Sequence, residues 1–328
     1  MRLAQDQALI RWYATNSVGA SVYVMCCTVG SRLTGDPREE TMIVDSHLHL
    51  FRAVSDSYPR AVYEVTAPAE RAELAERLLE YMEAAGVDKA VVVPLSAHEH
   101  YLREILEAFP GRFAGVGVFD PDVADPVADL ERRVDDVGIQ GLRVFRLGEP
   151  VSDVETLATF PLLAAMEERG VKLWFYADPE QLAMLDRILE LLPGLDVVLN
   201  HLGFCPDIHA ELRFDEYLRP RFDNFPLPPP TIGAIQQIAR HKRVHVHVSG
   251  QYAFSQVDYP HPDLQPVVDA MYRIFGADRM LWASDYPWIA EVPGYPEQLA
   301  LVDHYLPALS EPERAAVLGG TAASLFTF

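Results

Sequence analysis

From Met42 onward, short apolar runs alternate with stretches whose apolar residues recur every three or four positions. The runs are Met42–Leu50, Lys89–Leu95, Phe113–Phe119, Ile139–Phe145, Lys172–Ala177, Asp196–Leu202, Val244–Gly250 and Met280–Tyr286. Most are almost continuously apolar, as strands covered on both faces are. Between them the helical period returns. Pro68–Ala85 sets Leu74, Leu78, Leu79 and Met82 on one side, with Thr66 as the cap and Gly86 as the stop. Asp125 followed by Pro126 has the order cap, then first-turn proline. Pro179–Leu192 and Pro262–Phe275 repeat the pattern. Eight strands alternating with helices predict an α/β fold, a (β/α)8 TIM barrel, as a single domain over residues 42–328. No glycine fingerprint follows the first run, and the Gly115–Val118 stretch lies inside a strand, which counts against a dinucleotide-binding sheet.

Residues 1–41 carry an apolar patch, SVGASVYVMCCTVGS, behind Arg2 and Arg11. A secretory signal would have that order, but Asp6 and the late position of the patch fit one poorly. The expectation is an N-terminal extension outside the barrel core. Two connections are long, Arg52–Ala67 after the first run and Gly203–Pro230 after the sixth. Both leave C-terminal strand ends, where barrels place their active sites.

Composition narrows the partners. The 328 residues are 49% hydrophobic and 23% charged, which suits a globular chain. A formal charge of −21 repels nucleic acid and anionic membrane, so neither is expected as a partner. No apolar run approaches the roughly 20 residues that span a bilayer. Cys26, Cys27 and Cys205 follow no zinc-knuckle spacing and fit a reducing cytoplasmic setting.

The chemistry gathers at strand ends. In MIVDSHLHLF, His47 and His49 are two positions apart and face the same way, either filling a core slot or chelating. His201, Asp285, Arg143, Tyr176 and His247 stand near the ends of other runs. One histidine beside an apolar run is usually a packed core residue. Several such groups converging without pairing or a metal would be costly to bury.

VDSHLHLF, VVLNHLG and LWASDYP, in this order, resemble the amidohydrolase superfamily, specifically its amidohydrolase-2 branch. The closing LSEPERAAVLGGTAASLF is also similar, although Thr321 stands where an asparagine is usual. The branch holds lactonases and metal-dependent decarboxylases. The resemblance implies that His47, His49, His201 and Asp285 are metal ligands, with Asp285 the base towards water and His201 polarising the substrate or moving protons. A set of imidazoles and a carboxylate suits Zn²⁺, or Mn²⁺. Trp174, Phe175 and Tyr176 offer no strand-5 ligand, and His247 replaces a frequent lysine, so the metal is expected to be weak or absent. The resemblance also implies a homodimer.

Further substrate contacts are expected from Arg143, Tyr176, Ser96, His247 and Trp288. His245 is expected to pack deeper in its strand, His98 and His100 to be solvated, and Cys205 to be a bystander. The expected function is a hydrolase that opens a small lactone or related ester, acidic or hydroxylated. The alternatives are a metal-dependent decarboxylase of an aromatic or enoic acid and a non-catalytic ligand-binding barrel.

Overall fold

Runs of β-branched and aromatic residues extend because their side chains pack on both sides of a pleated surface. The computed structural model describes residues 42–205, 212–222 and 224–328. The extension expected over residues 1–41 lies outside the described residues. Eight parallel strands form one sheet: β1 (Val44–Leu48), β2 (Lys89–Val92), β3 (Phe113–Val118), β4 (Ile139–Val144), β5 (Lys172–Phe175), β6 (Val197–Leu199), β9 (Val244–Val248) and β10 (Met280–Trp282). They follow one another in that order around a barrel. Helices α1 (Ala75–Ala85), α2 (His100–Ala108), α3 (Pro126–Asp136), α4 (Phe160–Arg169) and α5 (Gln181–Leu191) alternate with the first six strands. Among the described residues, no helix is long and apolar enough to cross a membrane.

Strand alternation sorts the side chains into two layers. Val91, Val116, Trp174, Val198 and Leu281 cluster inside the barrel, where Phe326 of the C-terminal segment closes over Trp174. Val92, Leu142, Leu173, Leu199, Val246 and Trp282 belong to the larger cluster shared with the helices. Towards the C-terminal strand ends the inward positions turn polar, and this is where Arg143, His247 and Asp285 appear.

β1 and β10 terminate the strand order, and individual hydrogen bonds close the seam between them. Asp45 accepts from the Ser284 backbone N–H at 2.9 Å and from the Tyr295 hydroxyl at 2.8 Å. Ser46 donates to the Trp282 carbonyl at 2.6 Å. The Asp285 N–H donates to the His47 carbonyl at 3.0 Å, and the His49 N–H to that of Tyr286 at 2.7 Å. Burial pushes the Asp45 carboxyl up to about 6, even against these donors.

Two expectations need correction, and one element is added. The first helix starts at Ala75 with Leu74 at its cap position, not at Pro68 with Thr66, because Glu73 is held extended in a bridge to Phe51. The sixth strand stops at Leu199, since His201 and Leu202 take left-handed backbone angles that end the ladder. The long connection after it contains an antiparallel pair, β7 (Leu212–Phe214) and β8 (Pro220–Phe222), which no alternation in the sequence announced.

Asp45→Ala leaves the buried Ser284 N–H and Tyr295 hydroxyl without their acceptor and is expected to cost roughly 2–6 kcal/mol at about 1–3 per group. Urea unfolding checks this; an unchanged midpoint would deny the seam its structural weight.

Candidate active site

The seam and the strand ends bring four side chains together. His47 lies on β1, whose register shifts between Asp45 and Leu48, and His49 follows directly after it. Their rings lie 4.9 Å apart, edge to face. Asp285 follows β10 and His201 follows β6, with left-handed φ values of 61° and 47°. Such angles in non-glycine residues are costly and gather at functional sites. Gly250, also left-handed, lies so close to His201 that an added Cβ would stand 2.8 Å from the imidazole ring. Only glycine leaves that ring its place.

Asp285 is the hub. Its Oδ1 stands 3.6 Å from Nε2 of both His47 and His49, and its Oδ2 stands 3.9 Å from Nε2 of His201. The Tyr252 hydroxyl donates to Oδ2 at 2.7 Å. Burial raises the Asp285 carboxyl above its ordinary range, opposed by His49, Tyr252 and Arg143. Burial also lowers the imidazoles: His49 to about 4, His201 to about 3, and His47 well below its usual value. All three are therefore neutral near pH 7, and their proton positions decide what each can do.

Two of those positions follow from fixed partners. His49 Nδ1 lies 2.8 Å from the Val93 carbonyl, which can only accept, so Nδ1 carries the hydrogen and Nε2 keeps a lone pair. His47 is the reverse. The Trp174 indole N–H, a donor only, points to His47 Nδ1 at 2.8 Å. A neutral His47 must then carry its hydrogen on Nε2, the atom facing Asp285.

This bears on the expected metal. By residue type and spacing, His47, His49 and Asp285 form a cluster that could hold an ion. His201 falls outside that group, its Nδ1 paired with the Ser249 hydroxyl at 2.9 Å. A resident zinc takes three or four protein donors, each with a free lone pair. With Trp174 bonded to His47, the cluster supplies two, His49 Nε2 and Asp285. As hydrogen-bonded, the set does not fit a resident metal.

A cavity of about 210 Å³ opens over these groups. Its lining includes His49, Arg143, Tyr176, His201, Asp285 and Trp288, all singled out from the sequence. Arg143 is buried, with its guanidinium over the rings of Phe145 and Tyr176, 4.8 and 5.4 Å from their centres. Two expected contacts do not reach the cavity. His247 is fully buried beneath His47, packed 4.8 Å from the Trp174 ring, because its position falls one layer deeper in the barrel. Ser96 is absent from the lining because Pro94 and Leu95 take the places at the end of β2 before the chain leaves for α2. His98 and His100 are exposed and His245 is buried low in β9. Cys205 is buried, and burial pushes its thiol up to about 12. Sequence reasoning missed Tyr252 and Ser249, which follow β9 where no motif marks them, and missed that Trp174 acts through His47.

Replacing Trp174 by Phe removes the donor and lets His47 move its hydrogen to Nδ1. Zn²⁺ affinity is expected to rise about tenfold or more, the scale at which outer hydrogen bonds tune metal ligands. Competition with a chelating dye measures it, and equal affinities would refute the assigned tautomer.

Comparison with known proteins agrees with this architecture. The Amidohydrolase family profile matches residues 44–328. An L-fucono-1,5-lactonase of Burkholderia ambifaria is 26% identical, over 87% of this chain and 96% of its own. An amidohydrolase of Burkholderia multivorans with bound Zn superposes with a TM-score of 0.65 at 24% identity, covering 87% of this chain and 98% of its own. A candidate 2-pyrone-4,6-dicarboxylic acid hydrolase of Pseudomonas putida gives 0.64 at 24%, covering 87% and 97%. The chain therefore belongs to the Amidohydrolase family and is an enzyme of the hydrolase type.

Proposed function

We propose that the protein opens a lactone or closely related ester by general-base attack of water at the C-terminal mouth of the barrel. One observation carries the reading. The corner between His47, His49 and Asp285 presents one N–H donor and two acceptors, all buried. That is the complement of a water molecule, which accepts once and donates twice. His47 Nε2 and Asp285 Oδ1 also lack any other hydrogen-bond partner among the described residues. Such groups are costly to bury without one.

In this reading Asp285 takes a proton from the water as its oxygen bonds to the carbonyl carbon. Burial raises the basicity of Asp285, and Tyr252 holds its second oxygen in place. The Arg143 guanidinium and His201 line the same cavity and stabilise the oxyanion that forms. When the ring C–O bond breaks, Asp285 returns the proton to the departing oxygen. Tyr176 and Trp288 orient the substrate. The lactonase among the relatives supports this chemistry. A metal-dependent decarboxylase asks for a tightly held ion, and the hydrogen bonding of His47 counts against one.

Against a panel of lactones, esters and aromatic acids, lactone hydrolysis is the expected activity. Asp285→Asn should lower kcat roughly 10²–10⁴-fold, the usual worth of a positioned base. Parent and variant of equal rate would end the assignment. Exhaustive chelation followed by elemental analysis should leave the rate unchanged; a loss restored by Zn²⁺ would overturn the metal-free route.

A further inference from the structure

The cavity has two unlike ends. Its floor holds the polar groups already described. Its walls are apolar, with Leu95, Phe145, Phe214, Phe222, Phe254 and Trp288 among them. The wall on one side comes from the β7–β8 hairpin, which contributes Leu212, Phe214, Pro220 and Phe222. It is a packed surface. The Phe222 and Phe254 rings stack 5.1 Å apart at 10°, and Phe254 stacks in turn on Phe204 at 4.1 Å. At the rim, Phe145 and Phe214 are 42% and 41% exposed, large aromatic surface left to water beside an active site.

A ring bearing a hydroxyl on nearly every carbon would bring several donors and acceptors against these walls. Each left without a partner carries a desolvation penalty. Beyond the reacting centre, the described lining offers such a ring few polar side chains, those of Tyr63, Thr66, Tyr176 and Trp288, because the Tyr252 hydroxyl is committed to Asp285. An alkyl or aryl group meets no such penalty and covers the exposed aromatic surface.

We infer that the substrate is a small lactone carrying an apolar alkyl or aryl substituent, and not a polyhydroxylated sugar lactone. The reacting carbonyl lies on the Asp285 floor and the substituent lies along the hairpin wall. This rests on the hydrolase reading of the same site and replaces the hydroxylated substrate expected from the sequence.

The test compares kcat/KM for dihydrocoumarin and a δ-alkyl lactone with that for L-fucono-1,5-lactone and D-glucono-1,5-lactone. The apolar pair should be preferred by about tenfold or more, the discrimination one or two apolar groups can supply. The variant Phe214→Ser changes a rim residue of the hairpin wall. It should raise KM for the apolar lactones and change KM for the sugar lactones far less. A melting curve confirms that it folds. Preference for the sugar lactones, or a Phe214→Ser variant unchanged on every substrate, overturns the substrate class while hydrolysis stands. Inactivity on all four lactones, by a folded parent, removes the lactone-opening reading itself.

Discussion

The closure of the barrel between its first and last strands is the constraint on which the site rests. Asp45 grips the backbone before Asp285, while the backbone of His47 and His49 bonds to Asp285 and Tyr286. The bonds that shut the cylinder are therefore the bonds that set the distance between the histidines and the carboxylate. Residues separated by over two hundred positions in the chain meet with little freedom to drift. Such positioning accounts for much of what an enzyme gains over free solution. Burying Asp45 carries a desolvation penalty, visible in its raised carboxyl, and a precise seam is what that burial supports.

Inside this frame, hydrogen-bond direction matters more than residue type. His47 and His49 look interchangeable in a motif, yet they face Asp285 with opposite polarity. Val93 turns His49 Nε2 into an acceptor, and Trp174 turns His47 Nε2 into a donor. The same three residues with a different neighbour on β5 would present three lone pairs and suit an ion. With the indole in place they suit water. A zinc-bound relative and a cluster lacking one lone pair are thus compatible within a single fold. The fold supplies the scaffold and the outer partners tune it.

The cavity combines this polar floor with walls that ask nothing of a substrate beyond shape and apolarity. The division follows the architecture. The barrel strands and the residues directly after them carry the floor, whereas much of the wall comes from a hairpin inserted after β6. Precise chemistry sits on rigid strands and recognition sits on the added segment, the arrangement that lets one barrel serve many substrates.

The chain's alternation of apolar runs and helical periods was enough to determine the barrel, because strands buried on both faces and helices buried on one leave unmistakable patterns. The same alternation, with the family motifs, singled out His47, His49, His201, Asp285, Arg143 and Tyr176, since inward positions near the ends of strands are spaced by two. Other features were decided only by the folded structure. His247 shares that spacing but lies one layer too deep, and a strand's depth in a barrel is set by register with its neighbours, which a single run does not encode. Tyr252 follows β9 in a short turn with no period of its own. The hairpin wall lies in a stretch too irregular to show alternation. Trp174 reads as an ordinary core aromatic until the fold brings it against a histidine 127 positions away. Local pattern records which face a residue presents; which partner meets it there, and which proton that partner allows, depends on contacts between distant segments.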